Sequence, residues 1–423
     1  MEDLHLTEAE YRWCLTAPFL LFIVLCIPIN LILRRWRPSL LVGCLALTWG
    51  GVTMATAGVT NFAGLLVCQI IPGVCSAANS AVQVYYVSLW YRRCESAQRL
   101  GWIGIAGSIG ASVRGLIALA VTQIPVSNAV RSSWQWLFII FGIPSVICGT
   151  VCLLLLPDSP QSAKFLTDEE RRLAIERLRE STSAVYSWSW NQVLSVITDW
   201  KLYFYMLLFM TSAIAVSGGR LNLPDIIDGM GNWSAPVSLA LTTPPNFIAC
   251  FVIYLSSWLS DKFSQRAYLL IIMFSVIALG LLMIMFVPDQ YIGVRYFAVC
   301  LFICGWLGFM PVRGAWCSDN FSGLTRRAVA TAILYMSDSA GFVIGGHAYF
   351  DPPRYIMGHT IALCSIALSI TTAILLRFML SRVNRNRDQM NQLHCVEKKE
   401  QILIQYGGEK IIGDRHPDYR YSL

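Results

Sequence analysis

Two charged residues stand inside apolar runs of this chain, Arg114 within Gly101–Val121 and Asp338 within Ala328–Ile344. A guanidinium holds a carboxylate and a carboxyl takes up and releases a proton, so this pair could supply an anion site and a proton site. A charge at membrane depth costs at least ~2.5–3 kcal/mol unless it meets water or a partner. Both residues are therefore expected to face a central cavity or one another. The competing reading places each near an interface or in a sealed polar contact. Further polar residues sit where runs end. Asn30 and Asn320 are expected to hydrogen-bond at a gate, and Asp261 with Arg266, in the loop SSWLSDKFSQR, to brace it by charge pairing. Arg313 follows Pro311 and is expected to reach the interface, and Arg220 is expected to pair with Asp225. The five histidines are dispersed, and no metal-ligand spacing, phosphate loop or nucleophile triad is present. That suggests no metal site and argues against an enzyme or an ATP-driven pump.

The elements that would carry these residues follow from composition. Apolar residues make up 56% of the chain and charged ones 13%, against roughly 25% charged in soluble domains. Lipid is the solvent such a chain needs. Apolar segments able to span, or nearly so, occur eleven times: Leu15–Leu33, Leu40–Val59, Phe62–Trp90, Leu100–Val121, Trp136–Leu156, Leu202–Ser217, Val237–Leu259, Leu269–Val287, Gly293–Pro311, Ala328–Ile344 and Ile361–Leu376. After the fifth, Pro157-Asp158-Ser159-Pro160 breaks the run and the chain turns charged. Thr167 with Glu170 forms a capping box, and Asp168–Arg172 and Arg172–Glu176 read as i,i+4 pairs of an exposed helix. The 14 cysteines are scattered, without a CxxC pair, and read as packing residues. The first eleven residues are acidic and polar, the wrong sign for a signal peptide.

Basic residues then set orientation. Alternate loops carry Arg34, Arg35 and Arg37; Arg92, Arg93 and Arg99; Lys164, Arg171, Arg172, Arg177, Arg179 and Lys201; Lys262 and Arg266; and Arg326 and Arg327. The opposite side holds only Arg12, Arg131, Arg220, Arg295 and Arg354. The first set is therefore cytoplasmic, together with the tail beyond Arg377. The sequon Asn232-Trp233-Ser234 then falls outside, where glycosylation can occur.

Several groups of residues resemble one family in combination. They include Asp3-Leu4-His5-Leu6-Thr7, Ile27-Pro28 with Asn30, Arg37-Pro38-Ser39, Trp49-Gly50 and Leu89-Trp90-Tyr91. Trp136-Leu137-Phe138, Pro157-Asp158-Ser159-Pro160, Lys164-Phe165-Leu166-Thr167, Leu259-Ser260-Asp261, Asn320 and Pro353-Arg354-Tyr355 with Gly358 continue the pattern. Over nearly its whole length the chain resembles the major facilitator superfamily, and within it the fungal anion:cation symporters related to allantoate permease. The resemblance implies an all-α membrane protein, a major facilitator bundle of about eleven spans arranged five plus six around a cytoplasmic central loop. It also places Met1–Leu15 after the family's first membrane helix, so the chain is expected to start one helix late. The divisions expected are an N-terminal half over 1–156, a central loop over 157–201, a C-terminal half over 202–380 and a cytoplasmic tail over 381–423.

The resemblance implies proton-coupled uptake of a small organic anion by alternating access, with the proton gradient as energy source and no cofactor. It further implies a monomer in the plasma membrane, with a small solute, protons and lipid as partners and no nucleic acid. The chain departs from the family at three places. On the third run the family's arginine is Gln69 and its glutamate is Ser76; on the first, its glutamate is Cys26. Arg114 and Asp338 are then candidates for a displaced anion site and a displaced proton site. Two rivals remain at this level: a truncated or diverged relative that does not transport, and a facilitator of a neutral or cationic solute. No role is read for Val396–Leu423, which is expected to be mobile.

Overall fold

In lipid, every backbone N–H and C=O must be satisfied within the protein, and a helix does this within one segment. The computed structural model of the chain is accordingly built of helices, with no strand among the described residues, which are 7–33, 37–92, 95–122, 133–179, 190–231, 233–349, 355–392 and 419–423. The order is α1 (Glu8–Leu33), α2 (Pro38–Thr56), α3 (Phe62–Trp90), α4 (Ser96–Thr122), α5 (Ser133–Leu155), α6 (Asp168–Arg179), α7 (Trp190–Ile197) and α8 (Trp200–Leu221). Then come α9 (Leu223–Gly231), α10 (Ala235–Ala240), α11 (Thr243–Phe263), α12 (Arg266–Phe286), α13 (Ile292–Asn320), α14 (Leu324–His347) and α15 (Ile356–Gln392). Among the described residues, ten helices are long and apolar enough to cross a membrane. The first expected span, Leu15–Leu33, lies within α1, where the described residues give a shorter apolar stretch, Thr16–Cys26. Large apolar side chains face outward along the spans, Leu154 at 77% exposure among them. Only lipid makes such a surface tenable, and the chain is an integral membrane protein.

The seventh apolar run departs from expectation. It is not one helix: α10 ends at Ala240 and α11 begins at Thr243, with Pro244 and Pro245 in its first turn. Proline lacks the N–H that a continuous helix needs but suits a helix start. The start signals elsewhere act as read. Thr167 and Glu170 close α6 reciprocally, the Thr167 N–H donating to Glu170 Oε2 at 2.9 Å and the Glu170 N–H to Thr167 Oγ1 at 3.4 Å. The ion pair formed within α6 is Arg171 with Asp168 at 2.7 Å, an i,i+3 pair one residue short of the expected Asp168–Arg172. Two of the motifs that carry the family resemblance meet in space. Asp158 of the Pro-Asp-Ser-Pro break accepts from the N–H and hydroxyl of Ser39, at 3.1 and 2.6 Å, and so caps α2.

Helices α1, α2, α3 and α5 pack mainly among themselves, as do those from α8 to α15 as a group, while α4 packs mainly on α11, α13 and α10 of the second group. Two seams join the groups, α1 with α14 and α4 with α11. On the first, Cys26 Sγ contacts Ala332 O at 3.6 Å and Phe19 stacks on Phe342 at 4.7 Å. On the second, Thr243 Oγ1 donates to Ser112 O at 3.0 Å, and Gly101 lies against Ser257 so closely that a Cβ would meet its Oγ at 2.4 Å. The Asn232 of the sequon, several loop arginines (Arg34, Arg35, Arg93, Arg131 and Arg354) and tail residues 396–418 lie outside the described residues.

Candidate functional site

Proline at 311 sits inside α13, two residues before Arg313, so the charge follows an interrupted turn. Arg313 does not reach an interface as expected. It is 2% exposed and forms an ion pair from Nη2 to Asp338 Oδ1 on α14 at 2.7 Å. Its Nη1 donates to Ser212 Oγ on α8 at 2.6 Å, and its guanidinium lies 3.9 Å from the centre of the Phe209 ring. Three helices thus fix the cation, while the Asp338 side chain remains 21% exposed. The carboxylate is therefore the more accessible member of the pair. Asp338 does not face Arg114, as the sequence allowed; its partner is Arg313.

Arg220, near the end of α8, makes no ion pair with Asp225 among the described residues. Its guanidinium lies instead over the rings of Trp306, at 5.1 Å, and Phe342, at 5.4 Å. The side chain is exposed. Arg114 and Asp338 are close enough for their charges to act on it. Arg114 on α4 is also exposed, 5.7 Å from the Phe141 ring centre, and has no ion pair among the described residues. Among the described residues, Arg114 and Arg220 thus have no carboxylate partner, whereas Arg313 has one. Trp306 adds a buried indole N–H with no hydrogen-bond acceptor among the described residues.

Gln69 and Ser76 are half-buried on α3, and among the described residues neither makes a side-chain hydrogen bond. No bond joins them to Arg114, Arg220 or Asp338. Between them Gly73 lies against α1, where a Cβ would meet Pro18 Cα at 2.7 Å. Asn30 belongs to α1, but its side chain lies outside the described residues.

A second cluster forms at the end of the bundle where α11 meets α12. Ser264 takes a left-handed φ of 51° and reverses the chain there, which brings Arg266 back onto Asp261. Arg266 Nη2 lies 3.4 Å from Asp261 Oδ1 and 2.7 Å from Asp319 Oδ2. Asp261 Oδ2 also accepts from the Gln98 backbone N–H at 2.8 Å. Gln98 is in the first turn of α4, where N–H groups have no helical partner, so one carboxylate ties the two helix groups together. Asn320 is fully buried and donates to Tyr205 Oη at 2.6 Å. Asp199 adds a buried ion cluster with Arg326 at 3.1 Å and Lys201 at 3.4 Å. Sequence reasoning missed Asp319, Asp199 and the partnership of Arg313. A charge inside the long apolar stretch of α13 was the available signal for Arg313, since a buried cation needs an anion.

Residues 1–345 match the family model of the Major Facilitator Superfamily, and the chain belongs to that family. The MFS transporter prlL of a fungal species (strain NRRL 50135) is 29% identical, over 82% of this chain and 71% of its own length. The MFS-type transporter cnsO of Penicillium expansum is 27% identical, over 100% of this chain and 83% of its own length. The fold resembles that of the proton:xylose symporter XylE with a TM-score of 0.69, at 15% identity over 88% of this chain and 87% of that one. The chain is thus a membrane transporter by family rather than an enzyme.

Proposed function

We propose that this transporter imports a small organic anion together with a proton, by alternating exposure of a site between its two helix groups. One observation carries the reading: Arg114 and Arg220 are exposed cations of membrane-spanning helices, and neither has a carboxylate partner among the described residues. A site with unneutralised arginines favours a carboxylate, which a guanidinium grips bidentately. The aromatic faces of Trp306 and Phe342 beside Arg220 suit an apolar or ring-bearing body behind that carboxylate. Asp338 is the proton site. Its protonation weakens the 2.7 Å pair with Arg313 and biases α13 against α14. The resemblance to the allantoate permease group supports the same substrate class.

In this reading the halves 1–156 and 202–380 rock against each other about the two seams. The α6 side, with its excess of arginine and lysine, is cytoplasmic, and the membrane is the plasma membrane. The cluster of Asp261, Arg266 and Asn320 forms the inner gate. The transporter works as a monomer on a small solute and protons, with no cofactor. A second reading, facilitation of a neutral or cationic solute, is favoured by Gln69 and Ser76, whose side chains make no hydrogen bond among the described residues. Uptake of a panel of labelled carboxylates and neutral polyols into proteoliposomes separates the two. Carboxylate uptake that falls at least tenfold in Arg220→Gln is expected, and uptake of polyols alone contradicts the proposal.

A further inference from the structure

The last described segment, Tyr419–Leu423, is not loose. It lies extended across the end of the bundle that holds the Asp261 cluster, and its backbone is read by side chains. Asn384 of α15 takes both backbone groups of Tyr421, donating to its C=O at 2.9 Å and accepting from its N–H at 2.9 Å. Asn320 of α13 does the same for Ser422, accepting from its N–H at 2.8 Å and donating to its C=O at 3.0 Å. Trp316 Nε1 also donates to the Ser422 carbonyl, at 2.9 Å. Arg387 donates to the Tyr419 carbonyl at 2.7 Å, and the Arg266 backbone N–H to Leu423 O at 2.6 Å.

The side chains alternate, as in a strand. Tyr421 points inward and is 7% exposed, held between Lys201 Nζ at 4.2 Å and the Arg387 guanidinium at 4.6 Å. Arg420 points outward to Asp388 at 2.7 Å. Paired amides that saturate consecutive backbone groups, together with a pocket for one aromatic side chain, are how grooves bind extended peptides. The groove spans α8, α12, α13 and α15. With the segment in place, Asp261, Arg266 and Asp319 line a cavity of about 410 Å³ against it.

We propose that this end of the C-terminal helix group is a peptide-binding groove whose ligand is the chain's own Tyr419–Leu423, and that its occupancy clamps the Asp261–Gln98 tie shut. The link is physical. The segment fastens the first residue of α12, Arg266, whose side chain holds Asp261 and Asp319 in place, and Asp261 in turn holds the first turn of α4. Removing the segment frees the start of α12 and loosens the carboxylate that joins the two helix groups. The proposal does not depend on what is transported, because its test reads no transport.

Hydrogen–deuterium exchange of the full chain in nanodiscs tests it. Exchange over residues 419–423 is expected to be at least tenfold slower than in a free peptide of the same sequence. Asn384→Ala with Arg387→Ala is expected to return it to the free rate and to speed exchange at Gln98, leaving the middle of α12 and α13 protected. Free exchange over 419–423 in the unaltered chain overturns the groove. Release of the segment with no change at Gln98 overturns the clamp. A labelled peptide Tyr-Arg-Tyr-Ser-Leu gives an independent check. It is expected to bind saturably to a chain ending at residue 418 and at least tenfold more weakly to the full chain, whose own segment competes. No binding to the folded shortened chain contradicts the proposal; if that chain does not fold, the exchange measurement decides alone.

Discussion

Arg313 and Asp338 meet at 2.7 Å with opposite access, the guanidinium sealed by Ser212 and Phe209 and the carboxylate still partly open. Truncating one member of a buried pair leaves the other charge uncompensated, at a cost of about 3–5 kcal/mol. Asp338→Ala is therefore expected to lower the thermal midpoint of the purified protein sharply. Arg313→Gln combined with Asp338→Asn is expected to recover most of the loss, because two neutral amides hydrogen-bond in the same space. Thermal unfolding followed by a thiol-reactive dye checks both, and equal losses in the single and double variants count against the pairing.

Arg220 has ring faces beside it and no carboxylate partner among the described residues. A hydrogen bond to a charged group is worth about 1.5–3 kcal/mol, and every 1.4 kcal/mol is tenfold in affinity. Arg220→Gln is expected to weaken carboxylate binding by ten- to a hundredfold, and Arg220→Lys by less. Quenching of tryptophan fluorescence, to which Trp306 contributes, reads the binding directly. An unchanged Kd in Arg220→Gln removes this residue from the site.

The seam between α8 and α14 is backbone-close three residues beyond Asp338. At Gly341 a Cβ would meet the Met210 carbonyl oxygen at 2.3 Å, whereas at Gly110 on α4 nothing lies within 4 Å. Overpacking costs about 1–3 kcal/mol, while alanine in an unhindered helix position gains up to about 1 kcal/mol over glycine. Gly341→Ala is expected to destabilise, and Gly110→Ala to leave stability level or raise it. Denaturation midpoints of the two variants check the contrast.

Acid is expected to fray α6. The Thr167 N–H and hydroxyl, both donating to Glu170, hold its carboxyl below the ordinary value of 4.5. A depressed carboxylate contributes stability that is present above its unfolded value and lost as pH falls through the lower folded one. Amide exchange at Glu170, corrected for its intrinsic pH dependence, should quicken below pH 4.5 and not in Glu170→Gln. An identical profile in both contradicts the capping account.

Much of this architecture was legible because membrane spans are written in composition. The third apolar run, Phe62–Trp90, coincides with α3, and the Thr167–Glu170 box opens α6 where the residues place it. The break before α11 was also written, in Thr242-Thr243-Pro244-Pro245, but the apolar run around it hid the signal. The partner of Asp338 was not legible. Hydropathy gives the depth of a residue but not the rotation of its helix, and it is the packing of α8, α13 and α14 that turns Arg313 rather than Arg114 toward it. The docked segment escaped for a similar reason. Its backbone is held by Asn320, Asn384 and Arg387, which are distant in sequence and carry no pattern.

The most direct measurement follows protons and solute together. Proteoliposomes holding a pH-sensitive dye, with the purified protein in the membrane, would be given a labelled carboxylate from outside. The account predicts that the lumen acidifies in step with carboxylate uptake, that both quicken when the outside is acid, and that Asp338→Asn abolishes the acidification. Carboxylate uptake with no proton movement, or unchanged acidification in Asp338→Asn, would contradict it.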